Sequence, residues 1–363
     1  MKIAYIGGAY VPSRGADSMH HMAICEAMAD NGHDVTLHVR PGPENAADDF
    51  EFYGVKRNFK LVKHPRPQVR GWGAFVYAAY VGRHVRSHSP PDLLYARERY
   101  GLMLSVGAGI PFVFESHWKP SYAKQRQEAW LFRRRNFRRL VVISEGLRRI
   151  YRKLFPWLSE AQIVVAHDAA NPAASAAPAR LALPGARLQV GYVGGMLPGY
   201  GIEVLVGIGA ASPAIDVHVV GGKEAQVREW RAKARAVPNV TFHGFVPPRD
   251  LPLYYARFDL VLAPFQKSAS SLAWMSPMKL FEYMAHGKAI ICSDFPILRE
   301  VLTDDVTGLF VQAEDVNAWT AAIARLNDVE LRQRLGRAGL AHLTSQHTWQ
   351  RRAEVVLDGL SAG

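Results

Sequence analysis

Short runs of β-branched and aliphatic residues alternate with helical patterns along nearly the whole chain. Such alternation is typical of parallel sheets whose strands are joined by crossover helices. In the first half the predicted strands are Lys2–Ile6, Val35–Val39, Leu93–Ala96, Phe112–Phe114, Leu140–Ile143 and Ile163–Ala166. Asp17–Ala29 is the clearest helix between them, because Asn31 and Gly32 follow it as a helix C-terminus requires.

Residues 171–188 interrupt this pattern. The stretch is rich in Ala and Pro and lacks strong periodicity, which indicates an interdomain connection. A length of 363 residues also favours two domains. We predict one Rossmann-like domain at 1–175 and another at 176–346, with a C-terminal helix at 347–363 that packs back on the first. The alternation resumes with strands at Gln189–Val193, Val217–Val220, Val240–Phe242, Leu260–Ala263, Ala289–Cys292 and Leu309–Val311, and helices at Ile202–Ala211, Lys223–Ala236, Met278–His286 and Val316–Leu326.

The composition is that of an ordinary globular protein. Apolar residues make up 49% and charged residues 21% of the chain, which excludes a disordered protein. Cys25 and Cys292 are far apart and have no metal-ligand or redox spacing, so a disulfide scaffold and a zinc ribbon are excluded. The longest uncharged run, Tyr100–Phe114, is too short for a membrane span, and the N-terminus resembles a strand rather than a signal peptide. We expect a cytoplasmic location.

The net charge of +12 is concentrated in one segment. Residues 121–153 contain eleven Lys or Arg and two Glu, with Trp130 and Phe132 interleaved. Such a patch suits an anionic membrane surface, where aromatic rings lie at the headgroup level. A nucleic-acid surface or a solvated basic helix face would have the same composition. We favour the inner face of a membrane and expect no nucleic-acid partner.

Gly7 and Gly8 follow the first predicted strand and precede a helix. Glycines there allow a ligand to approach the backbone amides, although a plain turn has the same sequence. The spacing differs from Gly-x-Gly-x-x-Gly, and the second strand is followed by Arg40 rather than by an acid that could bind a ribose. An oxidoreductase that uses NAD is therefore disfavoured.

The strongest local signal is the run SPMKLFEYMAHGK at 276–288. Ser276 as N-cap, Pro277 at the first helical position and a glycine after the last turn define a short helix. Its N-terminal amides and Lys279 would attract a phosphate or diphosphate. Glu282 lies on the same face and could accept hydrogen bonds from a ribose diol. An exposed Lys279–Glu282 pair that binds no ligand is the alternative.

The sequence from 276 to 294, SPMKLFEYMAHGKAIICSD, resembles the signature of the retaining glycosyltransferases of family 4, which have the GT-B fold. The resemblance implies an α/β protein of two Rossmann-like domains whose parallel sheets face an interdomain cleft. It also implies a nucleoside-diphosphate sugar donor, held mainly by the C-terminal domain. Further matches follow in the family's order at 2–8, 141–146, 191–195, 240–246 and 258–265.

The resemblance assigns roles to individual residues. Glu282 matches the glutamate that binds the donor ribose, and His117 matches the histidine placed against the transferred sugar. Trp274 stands where the family has another glutamate, while Met196 and Tyr200 stand at the positions of its basic diphosphate-binding pair. The expected catalytic residues are His117 and Lys279, and the expected donor-binding residues are Gly7, Gly8, Gly195, Phe245, Val246, Trp274, Ser276, Pro277, Met278 and Glu282.

These features predict a retaining, metal-independent, hexosyltransferase-like enzyme of glycan, envelope polysaccharide or glycolipid synthesis. Helix amides and Lys279 would stabilise the departing diphosphate, so we expect no metal and no cofactor. The acceptor is expected to be a hydroxyl on a glycan or a lipid-linked molecule. Because Trp274, Met196 and Tyr200 depart from the family pattern, the alternative is a non-catalytic GT-B subunit or a nucleotide-sugar-binding protein.

Overall fold

The computed structural model describes residues 1–65, 73–87, 90–173 and 187–360. These residues divide into two compact units. Unit 1 comprises Met1–Asp168 and the C-terminal segment from Trp349, and unit 2 comprises Ala169–Thr348. The division follows Asp168, whereas the predicted boundary at 175–176 lies outside the described residues.

The strands of unit 1 are β1 (Lys2–Val11), β2 (Asp34–Pro41), β3 (Lys60–Lys63), β4 (Leu93–Ala96), β5 (Phe112–Ser116), β6 (Phe137–Val142) and β7 (Ile163–Val165). Its helices are α1 (Ala16–Asp30), α2 (Asp49–Tyr53), α3 (Gly73–Ser87), α4 (Arg99–Ser105), α5 (Tyr122–Phe132), α6 (Glu145–Leu154) and, at the C-terminus, α13 (Trp349–Leu357). Among the described residues the strands form one parallel sheet in the order β3-β2-β1-β4-β5-β6-β7. The winding direction reverses between β1 and β4, and ligands bind such sheets at the carboxyl ends of the strands beside that point.

Unit 2 contains strands β8 (Leu188–Val193), β9 (Ile215–Val220), β10 (Val240–Gly244), β11 (Leu260–Ala263), β12 (Ala289–Ser293) and β13 (Leu309–Val311). Its helices are α7 (Ile202–Ala211), α8 (Glu224–Lys233), α9 (Leu251–Arg257), α10 (Met278–Ala285), α11 (Val316–Arg325) and α12 (Val329–Gln346). Within the described range the strands form a parallel sheet in the order β10-β9-β8-β11-β12-β13. Here the winding reverses between β8 and β11, which predicts a ligand site beyond the end of β8.

Both sheets are built from strands that read as continuous apolar runs. All four residues of β4 and all four of β11 are buried, as expected for central strands covered by helices on both faces. The prediction of two α/β units with parallel sheets is therefore confirmed.

The predicted end of β1 was wrong, and β3 was not predicted. β1 does not end before Gly7 but continues to Val11, because a register shift between Ile6 and Tyr10 accommodates the glycines within the strand. β3 escaped prediction because Lys60 and Lys63 enclose only two apolar residues.

Candidate active site

Two backbone loops approach each other closely at the carboxyl end of β8 in unit 2. Gly194 and Gly195 follow β8, and Gly221 follows β9. A Cβ placed on Gly221 would lie 2.2 Å from the carbonyl oxygen of Gly194, and the φ of Gly221 is +114°. Only glycine fits such a contact. The loops therefore present bare backbone at the point where the sheet topology predicts a ligand.

Lys279 of α10 reaches these glycines from inside the unit. Its side chain is buried, and a Cβ on Gly194 would lie only 3.0 Å from its Nζ. Nζ donates to the Oη of Tyr192 at 2.8 Å, and this hydroxyl donates to the Gly195 carbonyl at 2.6 Å. The lysine is thus tied through Tyr192 to the loop that follows β8.

Three aromatic rings surround the Lys279 ammonium. Its Nζ lies 4.0 Å from the ring centre of Tyr192, 4.8 Å from that of Phe265 and 4.9 Å from that of Tyr200. Cation–π attraction stabilises the charged form, but the rings also exclude water. Burial lowers the pKa of Lys279 to about 7, an effect that the charge of Glu282 partly opposes. The lysine therefore changes its charge near neutral pH unless an anion binds beside it.

Glu282 lies one helical turn after Lys279 on α10. Its Oε2 accepts a hydrogen bond from the Oη of Tyr255 at 3.2 Å, and the ring of Tyr255 stacks on His286 at 4.0 Å. Burial raises the pKa of Glu282 to about 7, against the hydrogen bond from Tyr255 and the charge of Lys279. The two residues therefore do not form the exposed ion pair that was the alternative interpretation of this helix.

The start of α10 differs by one residue from the prediction. α10 begins at Met278, and Pro277 is its N-cap, because its ψ of 112° is extended rather than helical. Ser276, predicted as the N-cap, is a buried residue that precedes this position, and the cap makes no side-chain hydrogen bond. The amide of Leu280 already donates to the carbonyl of Pro277 at 3.0 Å, which leaves the preceding amides of Met278 and Lys279 for an anion.

The remaining predicted donor residues lie around the same sheet edge. Phe245 and Val246 follow β10 and are half-buried, with Val246 packed on an apolar cluster of unit 2. Trp274 is half-buried in the turn before α10, where its backbone N–H donates to the carbonyl of Ser271 at 2.9 Å. Met196, at one of the expected basic positions, is buried, and its sulfur would touch a Cβ on Gly222.

In unit 1 the predicted sugar-binding residue His117 directly follows β5. Its Nε2 lies 2.5 Å from Oε1 of Glu115 in the same strand. Burial and the charge of Arg97 lower the pKa of His117 to about 4, although Glu115 acts in the opposite direction. The imidazole is therefore neutral at pH 7. Because an ionised carboxylate only accepts, Nε2 carries the proton and Nδ1 keeps a lone pair that can accept a hydroxyl hydrogen.

Glu115 is a buried carboxylate held by groups from distant parts of the chain. Arg352 of α13 donates to its Oε1 at 2.9 Å, and the hydroxyl of Tyr95 donates to its Oε2. Burial alone would raise the pKa of Glu115, but Arg352 and His20 hold it well below its usual range. The ionised form of Glu115 is thus secured by an arginine from the last helix of unit 1.

His20 of α1 links this carboxylate to a second one. Its Nε2 lies 3.1 Å from Oε1 of Glu115, and its Nδ1 lies 2.9 Å from Oδ1 of Asp168, which follows β7. The rings of His117 and Trp349 both meet His20 edge to face, at 4.8 Å and 4.9 Å. Four separate elements therefore fix the surroundings of His117.

His20, Glu115 and His117 are also a possible set of metal ligands. They are the group identified in the described residues, with ligand atoms all within 4.8 Å of one another. However, Oε1 of Glu115 accepts from Arg352 at 2.9 Å, and a guanidinium so close opposes a divalent cation. Hydrogen bonds account for Nδ1 of His20 and Nε2 of His117, whereas the buried Nε2 of His20 has no hydrogen-bond partner among the described residues.

Gly7 and Gly8 lie within β1 rather than in the predicted loop after it. A Cβ on Gly7 would lie 2.5 Å from Cδ2 of His21, so the glycine is required for packing within unit 1. Their carbonyl oxygens accept from Tyr77 and from Arg40, the latter at 2.8 Å. These hydrogen bonds involve the carbonyl oxygens, so the contact of the Gly7 and Gly8 amides with a donor stays a prediction.

Comparison with known families assigns both units. The model described as "Glycosyltransferase Family 4" matches residues 18–174, and the model described as "Glycosyl transferases group 1" matches residues 187–328. The chain belongs to the glycosyltransferases of family 4. Together the two matches cover most of the chain and agree with the resemblance found in its motifs.

Individual relatives are distant. The chain is 28% identical to the D-inositol 3-phosphate glycosyltransferase of Nocardia farcinica over 202 residues, which are 52% of this chain and 43% of that protein. This chain thus spans less than half the length of the curated relatives that it matches. None of the helices in the described ranges is long and apolar enough to cross a membrane.

Solved structures share the fold over nearly the full chain. Anabaena HepE in complex with UDP and glucose has a TM-score of 0.76 at 15% identity, with 99% of both chains covered. WaaG, a glycosyltransferase involved in lipopolysaccharide biosynthesis, has a TM-score of 0.68 at 14% identity, with 99% of this chain and 100% of that chain covered. These glycosyltransferase structures establish the GT-B fold for the chain.

The family resemblance singled out His117, Lys279 and Glu282, but not the residues that contact them in the structure. Glu115 stands two residues before His117, and this proximity was the available sequence signal. Arg352 carried no such signal, because 237 positions separate it from Glu115. Tyr192, the partner of Lys279, precedes the two glycines of the motif at 191–195 and appeared only as a strand residue.

Proposed function

We propose that this family 4 glycosyltransferase moves a sugar from a nucleoside-diphosphate donor to a hydroxyl acceptor with retention of anomeric configuration and without a metal ion. One observation carries the proposal. The buried Lys279 ammonium lies against the backbone of Gly194, beside the N-terminus of α10 and at the switch point of the sheet in unit 2. A buried cation, free helix amides and bare glycine backbone together suit a diphosphate.

The chemistry follows from charge. When the bond between the sugar and the diphosphate breaks, negative charge collects on the leaving oxygens. Lys279 and the first amides of α10 stabilise this charge more strongly in the transition state than in the ground state, because they are fixed in a dry site. Glu282, four residues after the start of α10, binds the ribose hydroxyls of the same nucleotide.

The acceptor side is assigned to unit 1. With Nε2 bound to Glu115, His117 presents Nδ1 as a hydrogen-bond acceptor for a sugar hydroxyl. We place the activity in the synthesis of an envelope polysaccharide or glycolipid at the cytoplasmic face of a membrane. The involvement of the similarly folded WaaG in lipopolysaccharide biosynthesis supports this placement.

A donor panel tests the proposal. Purified protein is titrated with UDP-, GDP-, ADP- and TDP-sugars, starting with UDP-glucose because HepE was crystallised with it. We expect tight binding of one nucleotide, and transfer or slow hydrolysis of its sugar in the presence of EDTA. Proton NMR of the product should show the donor's anomeric configuration. Inversion, or a requirement for added metal, would contradict the corresponding part of the proposal.

Glu282→Ala examines the ribose contact separately. Loss of a charged hydrogen-bond acceptor should weaken donor binding by about tenfold to a hundredfold. Glu203→Ala, on the exposed start of α7, is the control and should leave binding unchanged. Equal affinities for the Glu282→Ala variant and the parent protein would remove Glu282 from the site.

A non-catalytic nucleotide-sugar-binding protein is the second candidate. The burial of Met196 and the position of Tyr200 beside Lys279 support it, because neither residue supplies the charge expected at its position. Binding of a donor without transfer or hydrolysis under any condition of the panel would favour this function.

A further inference from the structure

Unit 1 carries a cluster of exposed aromatic and basic side chains immediately after His117. Trp118 is 63% exposed and Tyr122 is 78% exposed, the two largest values for tryptophan and tyrosine among the exposed apolar residues of the described chain. Residues 118–126 contain Lys119, Lys124 and Arg126, all exposed, and no acidic residue. Large exposed apolar rings beside three exposed cations need an explanation.

The direction of the strands places this cluster at one end of unit 1. β5 and β6 are parallel, so the chain leaves β5 at the carboxyl edge of the sheet and enters β6 at the amino edge. Trp118 and Tyr122 therefore lie at the carboxyl edge with His117. Tyr100 at the start of α4 is 42% exposed at the same edge, and its Oη lies 3.5 Å from Nε2 of Gln127 on α5.

The other half of the basic segment lies at the opposite edge. The chain from 133 to 135, three exposed arginines, connects α5 to the start of β6. The Arg133 guanidinium lies 4.1 Å from the ring centre of Trp157, and that of Arg134 lies 3.8 Å from that of Trp130. The arginines here cover the tryptophans of their own surface. A flat surface that contacts one edge of the sheet does not contact the other.

We propose that the carboxyl-edge cluster is the surface by which the protein docks on an anionic bilayer, and that the arginines at 133–135 take no part. Tryptophan and tyrosine rings favour the headgroup region, and lysine and arginine are attracted by anionic lipids. Docking at this edge brings His117 to the lipid surface, which fits the lipid-linked acceptor of the proposed function. The members of the cluster are Tyr100, Trp118, Lys119, Tyr122, Lys124 and Arg126.

Vesicle binding tests the inference with a charge-matched control. The wild type is centrifuged with phosphatidylcholine vesicles that contain or lack phosphatidylglycerol, and we expect it to bind only the anionic ones. Replacing Lys119, Lys124 and Arg126 by Gln should lower the partition coefficient about a hundredfold. Replacing Arg133, Arg134 and Arg135 by Gln removes the same charge from the amino edge and should leave the coefficient near the wild-type value.

A fluorescence measurement keeps the test independent of folding defects. Lipids brominated in the acyl chain should quench the tryptophan emission of the wild type, and Trp118→Phe should lose most of this quenching while its thermal unfolding is unchanged. Equal loss of binding in the two triple variants would show a general charge effect and overturn the proposal. The variant with Gln at 119, 124 and 126 could instead bind vesicles as the wild type does but lose transfer to a water-soluble acceptor. This result would overturn the proposal and would show that the cluster binds a saccharide.

The result is distinguishable from the outcome for the proposed function. Vesicle binding needs no donor, and transfer to a water-soluble acceptor needs no vesicle. Absent vesicle binding with intact transfer would therefore reject the docking surface alone. Intact vesicle binding without donor binding would reject only the transferase.

Discussion

Lys279 combines an unfavourable environment with the position that we propose for the donor diphosphate. Its side chain is 7% exposed, and Tyr192 Oη is the oxygen partner of its Nζ among the described residues. A lysine in such a place loses much of its hydration, and this loss lowers the pKa of Lys279 to about 7. A diphosphate at Gly194 would supply the missing counter-charge. In the proposed function, occupancy of the donor site and protonation of Lys279 are therefore linked.

Lys279→Met should separate stability from binding. Methionine fits among Tyr192, Tyr200 and Phe265 without a buried charge, so we expect the ligand-free protein to gain about 1 kcal/mol in free energy of unfolding. Donor affinity should fall by about tenfold to a hundredfold, because a charged contact with phosphate is lost. Urea denaturation and calorimetric titration measure the two effects. Lys267→Met, on an exposed lysine, should change neither; lower stability of Lys279→Met would show that the ammonium itself stabilises the fold.

The pH dependence of donor binding should report the same lysine. Since its pKa is lowered to about 7, Lys279 is charged below that pH and loses its charge above it. The kcat/KM for the donor should therefore fall as pH rises through 7. The free energy of unfolding should instead rise with pH between 7 and about 10.5. In this range Lys279 is neutral in the folded protein, whereas in the unfolded chain it still carries its proton. Glu282 also titrates near 7, so the profile is measured in Glu282→Gln as well. Lys279→Arg should flatten it, and a fall that persists in this variant would assign it to another group.

At the scale of elements, the apolar pattern was sufficient for the strands but not for what lies between them. β4 and β11 are continuous apolar runs that are fully buried, and such runs predict central strands. The apolar pattern did not predict β3, because an edge strand needs little burial and Lys60 and Lys63 are exposed. Gly7 and Gly8 resembled a ligand loop because the sequence does not reveal that β1 continues through them or that His21 packs on Gly7. Contacts between distant elements decided each case.

The helix α13 shows why the site could be predicted only in part. Its residue Arg352 is 3% exposed and donates to Glu115 and to the carbonyl of His167 at 2.9 Å each. A C-terminal arginine that determines the charge of a strand carboxylate leaves no pattern in the sequence. His117 could be found from its motif, whereas the residues that fix its ring could be found only in the folded unit.

A double-mutant cycle should measure the coupling of α13 to the site. Arg352→Met leaves Glu115 buried without its main counter-charge and should lower the free energy of unfolding by about 3 to 5 kcal/mol. Glu115→Gln with Arg352→Met should recover part of this loss. Because Gln cannot hold the His117 proton as a carboxylate does, the double variant should remain folded with a reduced kcat and an unchanged donor KM. Denaturation curves give the free energies of unfolding, and kinetics give kcat and the donor KM. If the losses in free energy of unfolding from the two single substitutions add up to that of the double variant, Arg352 and Glu115 are not coupled.

On the scale of the whole molecule, unit 1 is formed by two separate segments of the chain and unit 2 by one. The chain builds unit 1, then unit 2, and returns to unit 1 for α13. This last helix packs against α1 and buries Trp349 and Val356. Unit 1 therefore depends on the final residues of the chain, while unit 2 is built from one continuous segment. The two glycosyltransferase units should differ in how they respond to a C-terminal change.

Removal of the chain from Trp349 onward should destabilise unit 1 selectively. The truncation removes Arg352 from Glu115 and uncovers the apolar surface beneath α13, so amides of β1, β4 and β5 should exchange with deuterium about a hundredfold faster. Amides of β8, β11 and β12 should keep their exchange rates, because their sheet lies entirely within unit 2. Hydrogen exchange read by mass spectrometry resolves these peptides. A chain ending at Leu360 is the control and should behave as the full chain. Equal acceleration in both sheets would show that the units unfold together, and no acceleration in β5 would show that the Arg352 contact contributes little to unit 1.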